Sequence, residues 1–102
     1  MWYAVSLLYK SIHVPSEPKE TLWEERILLM QTGTESEARE QAEKVAKSGE
    51  HAYDVEDGVV TWAFERIESV FSIRDEEIRS GSEVFSRFLR DSEVKSLSTP
   101  FD

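Results

Sequence analysis

The chain has no cysteine, and only four glycines, three prolines and two histidines among its 102 residues. Without cysteine there is no disulfide staple and no thiolate metal site. Gly33, Gly49, Gly58 and Gly81 stand far apart. A phosphate-binding loop needs clustered glycines so that several backbone N–H groups can reach one anion, so nucleotide binding is disfavoured. His13 and His51 form neither a His-x-His nor a His-Glu-x-x-His spacing, and no loop has the ligand spacing of an oxygen-only cation site. No serine occupies a glycine-flanked elbow, so a hydrolase triad lacks its nucleophile. No catalytic residue, metal or cofactor is therefore expected.

Positive charge is also scarce. Twelve Lys and Arg face twenty-one Asp and Glu, for a net charge of −9. Residues 1–51 carry nine acids and six bases, residues 52–102 twelve and six, so the excess leans toward the C-terminal half. A nucleic-acid binder must neutralise phosphates with Lys and Arg, so neither nucleic acid nor an anionic membrane is an expected partner. The acidity serves either solubility or a basic protein partner. No apolar run approaches a membrane span, and no basic segment precedes an apolar block at the N-terminus. The expectation is a cytoplasmic protein. At this length one domain, 1–102, is expected, and a hydrophobic fraction of 39% with eleven aromatics is enough to fill its core.

The pattern along the chain predicts an α+β fold. Trp2 to Tyr9 is β-branched and aromatic and reads as a strand. Lys10 to Glu20 contains Pro15 and Pro18 and reads as a loop. Leu22 to Gln31 reads as a second strand, apolar on both faces at Ile27–Met30 and charged on both at Glu24–Arg26. Thr34 and Glu37 have the spacing of a capping box. Behind it Ala38, Gln41, Ala42, Val45 and Ala46 form one helical stripe, closed by Gly49. His51 to Val55 is a short strand, and Glu56-Asp57-Gly58 a tight turn. Val59 to Ile73 is a long strand whose apolar parity changes between Phe64 and Ile67, which requires a bulge near Glu65–Ile67. Ser80-Gly81-Ser82 is a turn. Glu83 to Arg90 suits either a strand or a helix, and a strand is chosen because it would form a hairpin. Asp91-Ser92 caps a helical turn through Leu97. The expected architecture is β-β-α-β-β-β, an antiparallel sheet of about five strands with one principal helix on one face.

Four blocks carry a resemblance. They are Met1-Trp-Tyr-Ala-Val-Ser-Leu-Leu8, Leu22-Trp-Glu-Glu-Arg26, Gly49-Glu-His51 and Glu83-Val-Phe-Ser-Arg-Phe-Leu-Arg90. Together they resemble an uncharacterised bacterial family, domain of unknown function 4288. The resemblance implies a small, single-domain bacterial protein. It supplies no activity, cofactor or catalytic residue.

Two features stand out from the pattern. Glu24-Glu25-Arg26 lies beside Glu65-Arg66-x-Glu68 in the strand order, and mid-strand charges are costly if buried unpaired. They form either a solvent-facing ion-pair ladder or a polar pocket walled by Trp23 and Trp62, with Arg26 or Arg66 gripping an anion and Glu25 poised beside it. His51 is read as a polar contact at the helix end. The candidate binding residues are thus Trp23, Glu24, Glu25, Arg26, His51 and Arg66. The second feature is an apolar surplus. Trp23, Ile27 and Leu29 share one face of the second strand, and one helix cannot cover both faces of the sheet. Either Phe88, Leu97 and Phe101 fold back over the second face, or that face is an interface. The expected function is a small acidic protein-binding module, either an immunity- or antitoxin-like inhibitor or a self-associating domain. The alternative is a ligand-binding protein or enzyme built on Glu24, Glu25, Arg26 and Arg66.

Overall fold

A computed structural model describes residues 1–15 and 17–98. The elements run β1 (Trp2–Val14), β2 (Trp23–Gln31), α1 (Glu35–Ser48), β3 (His51–Val55), β4 (Gly58–Ile73) and α2 (Asp91–Ser98). The four strands form one antiparallel sheet in the order β2-β1-β4-β3.

β1 is central, and from Tyr3 to Leu7 it is buried on both faces. Its odd positions Tyr3, Val5, Leu7 and Tyr9 are large and face α1, while Ala4 and Ser6 on the other side are small and fully covered. α1 presents Ala38, Ala42 and Ala46 to the odd positions. Alanine has no side chain to hold the helix away, so the helix backbone lies close to the strand. Leu28, Met30, Phe64, Ile67 and Val70 close the rim of this layer. Thr34 is the N-cap. Its side chain accepts a hydrogen bond from the Glu37 N–H at 3.2 Å, and its hydroxyl donates to the Glu37 carboxylate.

Three expectations are corrected. The sheet has four strands, not five, because Glu83–Arg90 forms no strand and no hairpin with β4. There are two helices, since the capped turn after Asp91 extends to eight residues. β1 continues through His13 to Val14, past the expected start of the loop. A sixteen-residue β4 supplies Val59–Ala63 as partners there, and that pairing outweighs the polar local sequence. The expected break in β4 is present as two register shifts. They leave Glu68 and Glu65 without β1 partners and put Ile67 and Phe64 on the helix side.

Two glycines meet steric demands. Gly58 closes the β3–β4 hairpin at φ +146°, and a Cβ there would lie 1.9 Å from the Val14 carbonyl oxygen. Gly49 ends α1 in an ordinary right-handed conformation. It is needed for close approach instead, since a Cβ would lie 2.8 Å from the Tyr9 hydroxyl.

The radius of gyration is 16.3 Å, against about 13 Å for a compact domain of this size. The excess reflects a flat two-layer slab with a projecting C-terminal segment. Among the described residues, no Cα of α2 lies within 8 Å of a strand or of α1, and all eight of its residues are exposed. No helix among them is long and apolar enough to cross a membrane.

Candidate functional site

Side chains alternate along β2, so its charged centre is divided between the two faces of the sheet. Glu24 and Arg26 face the helix, opposite Tyr9 and Leu7. Trp23 and Glu25 face the other way, opposite Lys10 and Leu8. The bulge in β4 places Arg66 opposite Leu8, on the same face as Glu25. The six candidate residues therefore form two groups, not one pocket.

The first group clamps the end of α1. The Arg26 guanidinium lies 3.9 Å from the centre of the Tyr9 ring. Its Nε donates to Glu24 at 2.6 Å, and its Nη1 to the Gly49 carbonyl at 3.4 Å. The Tyr9 hydroxyl donates to the Ala46 carbonyl at 2.6 Å. The last carbonyls of a helix lack intrahelical partners and carry partial negative charge, so a cation and a hydroxyl donor are both favourable there. Burial raises the Tyr9 pKa above its ordinary value, opposed by the Arg26 charge. His51 Nδ1 lies 3.3 Å from the same Gly49 oxygen, the expected helix-end contact, and its ring stacks on Tyr53. β3 begins only at the His51–Trp62 pair. Beyond it, the Phe64 N–H donates to the Glu50 carboxylate at 2.8 Å.

The second group is open to solvent. Trp23 is 42% exposed and lies near two cations, with Lys10 Nζ 5.7 Å and the Arg66 guanidinium carbon 6.0 Å from its ring centre. Arg66 pairs with Glu68 at 3.1 Å. The Ser6 hydroxyl donates to the Glu25 carboxylate. Ser69, paired with Ser6 across β1 and β4, keeps its hydroxyl oxygen buried without a partner. The candidate residues of the sequence reading do not include Ser6 or Lys10. Lys10 falls in the expected loop, and only the register brings it opposite Trp23.

Along the same face run Ile27 and Leu29, each nearly half exposed. On the β4 side of this face the Phe85 ring of the C-terminal segment packs on Phe71 at 5.9 Å. Phe85 is thus the covering residue. Phe88 and Leu97, expected in that role, are exposed, and Phe101 lies outside the described residues. Among the described residues, no three His, Asp or Glu side chains converge as a metal site requires.

No curated protein and no solved structure matches the chain. One family model does, over residues 2–86, from the start of β1 into the Glu83–Arg90 block. Since that match covers most of the sequence, the chain belongs to the family described as domain of unknown function DUF4288.

Proposed function

We propose that this chain is a protein-binding module whose contact surface is the β2 side of the second sheet face. The observation that carries the reading is the row of Trp23, Ile27 and Leu29, exposed together on one side of an edge strand. Scattered exposed apolar residues are ordinary, whereas several large ones on one strand face mark an interaction surface; Ile27 and Leu29 adjoin there, with Glu25 between them and Trp23. The β2 edge is itself open along nine residues and carries no register shift against β1, while the uncovered half of β4 carries two. Bulges discourage strand addition, so the unbulged edge is the accessible one. The net charge of −9 favours a partner with basic groups around an apolar centre. An inhibitor of the immunity or antitoxin kind is one form of such a module.

A photo-crosslinking residue in place of Ile27, in the native host, tests the reading. Protein adducts should form there and be absent with the same residue at Glu40, on the solvent side of α1. Equal yields at both positions would remove the surface from consideration. The second reading, a small-anion site, draws on the two cations beside Trp23. Anion titration followed by Trp fluorescence, with Arg66→Gln as control, separates it from protein binding.

A further inference from the structure

We infer that the second sheet face is a two-fold contact between copies of this chain. In it the Val84–Phe88 ridge of each copy enters the Trp23–Ile27–Leu29 strip of the other. The inference rests on the protein-binding reading and names its partner.

Phe85 anchors the ridge on Phe71; Phe71 pairs with Ala4, and Ala4 with Leu29. Ridge and strip thus share one face and stand two strand spacings apart, about 10 Å. A two-fold axis between them superposes each ridge on the other copy's strip, so a single surface serves both partners.

Phe85 and Leu89 are half-buried, whereas Val84, Ser86 and Phe88 are exposed, Phe88 completely at 104%. The segment therefore seats Phe85 on its own sheet and leaves Val84 and Phe88 open to solvent. Phe88 and Trp23 alone offer roughly 300 Å² of aromatic surface. Ile27, Leu29 and Val84 bring the patch to roughly 500 Å², most of the ~800 Å² per partner that a stable interface buries.

Residues 84–90 hold Arg87 and Arg90 and no carboxylate, in a chain that is otherwise strongly acidic. Laying this segment on the strip sets Arg87 and Arg90 against a patch of mixed sign, Glu25 beside Lys10 and Arg66, where most other pairings of two acidic copies would set acid against acid.

Sedimentation equilibrium of the full chain over the micromolar range tests the inference. The 11.8 kDa chain should form a dimer. Phe88→Asp and Ile27→Lys alter exposed side chains and should leave the circular dichroism spectrum unchanged. Each should weaken the dimer at least about tenfold, as expected when the centre of a contact is lost. Mixed in equal amounts, the two variants should associate again. One junction of the mixed pair is then native, and in the other the two introduced charges, of opposite sign, face each other. A full chain that stays monomeric overturns the inference, and so does a dimer indifferent to both substitutions or a mixture that fails to recover. Adducts of a different protein at position 27 would leave the protein-binding reading standing after such a failure. Their absence would remove both.

Discussion

Replacing Gly49 by alanine tests how the helix is seated on the sheet. Gly49 has φ −87°, which alanine adopts freely, so backbone strain contributes nothing. Stiffening the unfolded chain would by itself stabilise the protein by about 0.4–1 kcal/mol. Opposing this, the new Cβ would lie 2.8 Å from the Tyr9 hydroxyl, 3.1 Å from Arg26 Nη1 and 3.3 Å from the Ala46 carbonyl. The Tyr9 hydroxyl cannot yield cheaply, because it is held by its bond to Ala46 and its ring is buried. Overpacking of this kind costs about 1–3 kcal/mol, so a net loss of about 1–2 kcal/mol is expected. Tyr9→Phe removes the obstructing oxygen and leaves the Ala46 carbonyl short of a donor, for a loss of about 1–3 kcal/mol. In that background Gly49→Ala should cost almost nothing, since its nearest clash is gone. Urea unfolding of the parent, both single variants and the double variant gives the coupling, expected at about 1 kcal/mol or more. Simple additivity would refute the steric account of Gly49.

Thr34→Ala should lower stability by about 1 kcal/mol in the same assay, because the Glu37 N–H loses its acceptor. Ser69→Ala should be neutral or raise the melting temperature, since its buried oxygen has no partner to lose; a marked drop would mean that the hydroxyl is satisfied in solution. Tyr9 makes stability fall in alkali. Its folded pKa lies above the ordinary value of 10.0, so the folded chain holds the phenolic proton more tightly than the unfolded one. The stabilisation is complete below that value and is lost as pH rises through the folded pKa. Denaturant midpoints measured on either side of pH 10 should fall in the parent, and fall less in Tyr9→Phe.

Local chemistry determined much of this protein. The capped helix with its alanine stripe, the strand identity of β1 to β4, the hairpin at Gly58 and the interruption of β4 all follow from neighbours within a few residues. Capping, side-chain alternation and turn geometry act over that range. The contact of His51 with the helix end was legible for the same reason, since it reaches back only to Gly49. Residues far apart in sequence were decided by tertiary pairing. Strand register divided Glu24 and Arg26 from Trp23, Glu25 and Arg66, and brought Lys10 to Trp23 from a stretch that reads as loop. Alternation alone says that neighbours take opposite faces, and not which face meets the helix. Glu83–Arg90 has the side chains of a strand, yet it pairs with neither the β2 edge nor the uncovered half of β4; Phe71 takes Phe85 from above the sheet instead. A strand needs a hydrogen-bonding partner as well as a suitable sequence, and only the assembled fold supplies one.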